Sequence, residues 1–248
     1  MIDHLSYSRL QTYLQCPYKF FLRYIEERKE PISDALLIGL AVHHALSYHY
    51  HQVLKEGDWP AVATLAYFLS QWEAKPFLDS ENWNGQILWS RPEAEAKDLG
   101  FELLKTFLSQ ASLRPVVSEQ EFERRTSSGL LFRGRLDLID RRGVIIDFKT
   151  KSGRWQDKSF RAREFRKDLQ PVAYAFLLGG PATVEFHYLL KTKIPSVQVE
   201  RRKIKATELE RFEILLGEVA QSIERGCFFR NPTNQYCRYC YFRGECWP

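Results

Sequence analysis

Residues 130–149, LLFRGRLDLIDRRGVIIDFK, constrain this chain more than any other stretch, because their pattern reads as two adjacent strands. Residues 130–140 alternate apolar and polar side chains, Arg141-Arg142-Gly143 is a turn, and residues 144–148 form a short β-branched apolar run. Such a hairpin sets Asp137 and Asp147 among apolar neighbours at the edge of a core, where an ionised carboxylate is costly unless it is paired or binds a metal. Hard oxygen donors on two neighbouring strands suit Mg²⁺ or Mn²⁺. The period-two alternation sends Asp147 and Lys149 to one face while Phe148 enters the core. Asp137, Asp147 and Lys149 together supply what metal-assisted phosphodiester cleavage requires: anionic ligands, and an ammonium to orient or deprotonate a water and neutralise phosphate charge.

Cysteine placement is the second signal. Of five cysteines, Cys16 lies near one end and Cys237-x2-Cys240-x5-Cys246 near the other, with Cys227 left over as a spare thiol. Four thiolates drawn from both ends imply a metal centre, and C-x2-C spacing alone does not separate zinc from an iron–sulfur cluster. A disulfide framework is disfavoured because residues 1–15 lack the basic and apolar run of a secretory signal, which points to a cytoplasmic protein. Phe228, Phe229, Tyr236, Tyr239, Tyr241, Phe242 and Trp247 are expected to shield the C-terminal thiolates from solvent. Joining residue 16 to residues 237–246 closes nearly the whole chain into one loop, so the centre is expected to staple the fold rather than transfer electrons.

The net charge of +5 is a modest basic bias that suits a polyanionic partner, and its distribution says more than its sum. Lys151, Arg154, Lys158, Arg161, Arg163, Arg166 and Lys167 crowd the segment after Lys149, with Trp155, Phe160 and Phe165 interleaved. Cations for phosphates and aromatics for base stacking make a path for a single strand, with Lys151, Arg154, Trp155, Arg161 and Arg166 as its candidate contacts. No stretch reaches transmembrane length. Apolar spacing predicts helices over residues 6–25, 36–54, 60–74 and 92–112, with a Pro31-containing loop between the first two and a Trp- and Asn-rich link over residues 81–89. Strands follow at residues 116–125, 130–140 and 144–149, then a helix at 164–178, strands at 183–191 and 196–204, and a helix at 207–226. The expectation is one α/β domain, residues 1–248: a helical subdomain over about 30–113, a core over about 114–205, and a closing segment over 206–248.

These features resemble the PD-(D/E)xK superfamily of restriction-endonuclease-like nucleases, and more closely its RecB-like exonuclease branch with a four-cysteine iron–sulfur cluster. The likeness covers nearly the whole chain. Leu5-Ser6-Tyr7-Ser8-Arg9-Leu10, with Tyr13 and Cys16-Pro17-Tyr18, is similar to the S-x-S-x-L-x-x-Y-x-x-C-P helix that opens that branch. Gly39-x-x-x-His43 is similar to its G-x-x-x-H motif, Gln170-x-x-x-Tyr174 to its Q-x-x-x-Y helix, and Glu119 to an acidic position that often precedes G-R-x-D. Two positions depart from the pattern: Leu136 stands where the name motif has proline, and His44 where glutamate more usually follows the histidine. On a helix His43 and His44 point about 100° apart, so at most one of them is a ligand.

The resemblance implies a central mixed sheet flanked by helices, with a helical insertion and a cluster-stapled tail. It also implies a Mg²⁺- or Mn²⁺-dependent deoxyribonuclease, an exonuclease preferring single-stranded or frayed DNA ends. His43, Asp137, Asp147 and the backbone carbonyl of Phe148 would hold the metal, Lys149 would position the attacking water, and Gln170 and Tyr174 would lie beside lysine and substrate. Cys16, Cys237, Cys240 and Cys246 would hold a [4Fe–4S] cluster, with zinc as the lesser alternative. A helicase or CRISPR adaptation proteins are the partners such a chain would have. The rival readings are a CRISPR-associated nuclease that trims DNA before integration, and a catalytically weak DNA-binding scaffold within a helicase–nuclease complex.

Overall fold

Residues 3–78, 83–110 and 112–246 are described by a computed structural model of the chain. Strand β1 (Leu5–Ser6) runs into helix α1 (Tyr7–Gln15), capped where the Arg9 N–H donates to Ser6 Oγ at 3.3 Å. The helix predicted over 6–25 breaks at Cys16, whose φ of −160° is extended, because Pro17 disfavours helical backbone in the residue before it. Helix α2 (Pro17–Phe20) restarts with that proline in its first turn, followed by a π turn at Phe21–Ile25.

The predicted helical subdomain holds helices α3 (Asp34–Glu56), α4 (Ala61–Ala74) and α5 (Glu93–Leu108). It also holds a two-stranded parallel sheet of β2 (Glu30–Ser33) and β3 (Trp83–Leu88), where a Pro31 loop and a polar link were expected. Residues 81 and 82 of that link lie outside the described residues.

The main sheet is mixed and has six strands. β5 (Leu131–Asp140) pairs antiparallel with β4 (Pro115–Arg125) along its length. On its other edge it meets β1, parallel, at Phe132 and Arg133, and β6 (Ile145–Ser152), antiparallel, at Leu138 and Ile139. Among the described residues that edge is left unpaired between these two stretches, and the gap positions the site. β7 (Thr183–Lys191) lies parallel to β6, and β8 (Ser196–Lys203) closes the far edge antiparallel to β7.

Helices cover both faces, as the α/β expectation requires. Leu10 and Tyr13 of α1 pack with Phe132, Phe186 and Phe212 on one face, and Leu46, Trp72 and Phe107 pack with Ile146, Phe148 and Leu189 on the other. The helix predicted over 164–178 is two, α6 (Lys158–Lys167) and α7 (Gln170–Leu178), because Pro171 has no N–H and is tolerated only in a first turn. Helix α8 (Ala206–Glu224) leads to the tail and its short last helix α9 (Arg243–Cys246). Among the described residues no helix is long and apolar enough to cross a membrane.

Candidate active site

Asp140 closes the hairpin, its Oδ1 accepting the N–H groups of Arg142 and Val144 at 2.9 and 3.0 Å. Past Leu138–Ile146 the two strands part, and Asp137 Oδ2 accepts the Phe148 N–H at 2.9 Å in place of a ladder carbonyl. The N–H and C=O of one residue in a strand point to the same side, so the Phe148 carbonyl faces the gap that holds Asp137. β5 can pack closely on α7 because Gly134 has no side chain: a Cβ there would stand 2.7 Å from Leu177 Cδ1.

Helix α3 brings His43 to this gap, with Nε2 2.8 Å from Asp137 Oδ2 and Nδ1 3.4 Å from Glu119 Oε1. Ligand atoms of His43, Glu119 and Asp137 lie within 4.8 Å of one another. His44 turns to α4 instead, its Nε2 2.9 Å from the Tyr67 hydroxyl. Glu119 was expected only as an acidic position ahead of the hairpin; the structure places it across from Asp137, between the registered pairs Ser118–Leu138 and Gln120–Leu136. Its φ of 49° is left-handed, a strained conformation for a residue with a side chain and one that strand patterning does not reveal.

Asp147 is 2% exposed and is not part of that ligand group. Its Oδ1 accepts the Tyr174 hydroxyl at 2.5 Å, Lys149 Nζ at 3.0 Å and Gln170 Nε2 at 3.2 Å, and Lys149 Nζ lies 2.7 Å from Oδ2. Gln170 and Tyr174, one helical turn apart on α7, also touch each other at 2.6 Å. Tyr174 is buried, so its hydroxyl serves Asp147 and not an open surface.

Charge is unevenly shared among these groups. Burial pushes Asp147 up to about 6, with Lys149 opposing and Asp137 adding to the rise. Burial likewise lifts Glu119 to about 6, against the pull of His43. Asp137 would rise with burial too, but the His43 charge and hydrogen bond hold it below the usual carboxylate range. His43 would be depressed by burial, yet Asp137 and Glu119 carry it up to about 9. The three carboxylates thus face His43, Lys149 and, at 3.7 Å from Glu119, the exposed Arg135, yet burial still leaves Asp147 and Glu119 raised.

The basic segment is only partly available to a partner. Lys151 sits 4.8 Å over the Trp155 ring and Arg154 4.2 Å over the Phe160 ring, while Arg166 is exposed. Trp155 itself leans on Tyr188 at 5.0 Å. Arg161 departs from the expectation: it is 4% exposed, and its guanidinium donates to Glu200 at 2.8 Å and to the carbonyl of Trp155 at 2.8 Å. It holds α6 to β8 and offers no charge to a substrate.

Cys16, Cys237, Cys240 and Cys246 line one cavity of about 290 Å³. The tail reaches Cys16 through hydrogen bonds: Asn231 and Asn234 donate to the Gln15 carbonyl at 3.0 and 2.7 Å, and the Tyr18 N–H to the Phe229 carbonyl at 3.1 Å. Burial pushes the Cys240 and Cys246 thiols up. The expected aromatic shield is mostly open, since Phe229, Tyr236, Tyr239 and Tyr241 are more than half exposed and Phe242 alone of those five is buried; Trp247 lies outside the described residues.

One component of the ATP-dependent helicase/deoxyribonuclease of Carboxydothermus hydrogenoformans is 29% identical to this chain over 180 residues, an alignment covering 60% of this chain and 16% of the relative. The chain therefore spans about a sixth of that protein's length. A crystal structure from Eubacterium rectale, of a protein given the provisional description exonuclease, superposes with a TM-score of 0.60 at 14% identity over 96% of this chain and 88% of its own, a likeness of fold. The structure of SSO0001 aligns over 97% of this chain and 94% of its own at 16% identity, but its TM-score of 0.40 is too low to bear on the fold. The profile of the PD-(D/E)XK nuclease superfamily matches from residue 4 to residue 247, so the chain belongs to that superfamily.

Proposed function

We propose that the chain is a divalent-metal-dependent DNA exonuclease acting on single strands and frayed ends. The observation that carries this reading is the meeting of His43, Glu119 and Asp137 beside the Asp147–Lys149 pair where the hairpin parts. Carboxylates, one imidazole and the Phe148 carbonyl form a hard donor set that suits Mg²⁺ or Mn²⁺, and carboxyls raised to about 6 by burial fit a site built for an added cation. A metal held by His43, Asp137, Asp147 and the Phe148 carbonyl, with Glu119 as a further donor, would supply a more acidic water and stabilise charge on the phosphate. Burial works against the Lys149 charge, but Asp147 and Asp137 raise its pKa, so it remains an ammonium. Its part is then to orient the water and neutralise phosphate charge rather than to remove a proton. Lys151, Arg154, Trp155 and Arg166 support a single-strand path away from that lysine.

The four cysteines support a [4Fe–4S] staple over zinc. They line one cavity of about 290 Å³, and the distant Cys16 followed by Pro17 is similar to the arrangement in the iron–sulfur branch, whereas C-x2-C spacing alone would suit zinc equally. Iron and zinc analysis of anaerobically purified protein decides between them. The name of the Carboxydothermus relative supports a helicase as working partner.

Degradation of end-labelled single-stranded, double-stranded and circular DNA with Mg²⁺ or Mn²⁺ tests the proposal. Shortening of linear single strands that is abolished in Asp147→Ala and Lys149→Ala is the expected result. Wild type that binds DNA and cuts none of the three with either metal would leave a DNA-binding scaffold.

A further inference from the structure

Asp168 stands at the bend between α6 and α7 and belongs to none of the motifs above. Its Oδ1 accepts two donors, the Tyr7 hydroxyl at 2.6 Å and the Gln170 N–H at 2.9 Å. Tyr7 opens α1, and Gln170 opens α7. Leu169, at the N-cap of α7, has no side chain able to accept from that first turn, so the Asp168 carboxylate supplies the acceptor. The bend is held from behind as well, with Arg202 Nη1 donating to the Asp168 carbonyl at 3.1 Å.

From Gln170 the hydrogen bonds continue to Tyr174 and to Asp147 Oδ1. A continuous path therefore joins the first turn of α1 to the carboxylate beside Lys149, although Tyr7 and Asp168 are 161 residues apart in sequence. A phenol donating to a carboxylate is charge-assisted, so this link is among the stronger neutral-to-ionic contacts a fold can make. The Asp168 charge is also felt by both Lys149 and Lys151, which places it at the shoulder of the candidate site.

We infer that Tyr7 and Asp168 are positioning residues: by fixing the start of α7 they hold Gln170, and with it Tyr174, in the pose that presents the Asp147 carboxylate. This rests on reading Asp147 as part of a metal-dependent cleavage site, while its structural half can be tested apart from cleavage.

Full-length Tyr7→Phe and Asp168→Asn proteins are compared with wild type by amide exchange, Mn²⁺ titration calorimetry and steady-state cleavage of a linear single-stranded oligonucleotide. Loosening one end of a helix should speed exchange at Gln170 and residues 172–174 about fivefold and leave α8 unchanged. Mn²⁺ binding should weaken about fivefold, because a ligand's supporting shell sets its affinity. Turnover should fall about tenfold with KM unchanged, the mark of an interaction that matters after binding. Tyr7→Phe placed on Tyr174→Phe should add less than it does alone, since both act on one carboxylate. Tyr7→Phe keeps the ring in its packing, so it carries the test if Asp168→Asn fails to fold. Wild type that does not cleave sinks the nuclease reading, and exchange with Mn²⁺ affinity then still decides this one. Unchanged exchange and Mn²⁺ affinity in Tyr7→Phe overturn it, as does a loss confined to KM.

Discussion

Gly39 and Thr150 approach so closely that a methyl on the glycine would stand 2.9 Å from the threonine Oγ1. Gly39 lies one turn before His43 on α3, and Thr150 follows Lys149 on β6, so this contact sets how deeply α3 seats against the site. Gly39→Ala brings two opposed effects: a helix-propensity gain of about 1 kcal/mol and an overpacking cost of about 1–3 kcal/mol. The clash should win, lowering stability by about 1 kcal/mol and weakening Mn²⁺ binding as His43 is lifted from Asp137. Adding Thr150→Ala removes the obstructing oxygen, so the double variant should regain both relative to Gly39→Ala. Urea denaturation and calorimetry on the four proteins of this cycle check it, and additive losses would show that the contact does not seat the helix.

The donor group of His43, Glu119 and Asp137 predicts that Mn²⁺ stabilises the fold. At about 100 times its dissociation constant a ligand specific for the folded state adds about 2.7 kcal/mol, and His43→Ala or Asp137→Asn should remove that gain. Glu119→Gln should reduce it in part. Glu119 and Asp147 are raised to about 6, so protons compete for them just below neutrality. The Mn²⁺-induced rise in Tm should therefore shrink as pH falls from 7 through 6. Metal-free protein responds with the opposite sign at these two groups, because the folded state there binds protons more readily than the unfolded chain.

The hairpin is legible because period-two alternation, a turn and a β-branched run agree over residues 130–148, and the same alternation places Asp147 with Lys149. His43 is legible from its spacing to Gly39, but only the packing of α3 separates it from His44, which stacks on Tyr67. Glu119 is legible only as an acidic position ahead of G-R-x-D; its turn towards His43 is hidden because a left-handed residue leaves no trace in hydrophobic pattern. The small β2–β3 sheet is hidden because Pro31 reads as a breaker and the strands are short. Arg161 misleads for a third reason: its partner, Glu200, lies on a strand 39 residues away, and a run of cations in sequence does not show which of them turns inward.

That inward turn separates structural from binding cations. Arg161→Ala strips the charge partner from Glu200, whose side chain is 16% exposed, and loss of one member of a buried pair typically costs about 3 kcal/mol. Lys151→Ala and Arg166→Ala should leave stability nearly unchanged. Each should weaken single-stranded DNA binding and lower the slope of log K against log salt by about one. Urea midpoints beside salt-titrated binding of the three variants measure both quantities. An Arg161 variant of normal stability with a reduced salt slope would return that residue to the substrate path.

His49 carries the clearest pH signature away from the site. It is 9% exposed in the pairing of α3 with α4, with Nδ1 2.8 Å from the Oγ1 of fully buried Thr64. Burial depresses its pKa to about 4, so the folded protein keeps the ring neutral where the unfolded chain, near 6.5, already takes up a proton. The stabilisation is thus fully present above about pH 6.5 and is lost as pH falls towards 4, with a total of roughly 3 kcal/mol. His49→Gln removes the titrating group, so its urea midpoint should change less than that of wild type between pH 7 and pH 4.5. Comparing the two proteins cancels the opposite contributions of Glu119 and Asp147 in the same window, and equal changes would show that His49 is not what weakens the helical pair in acid.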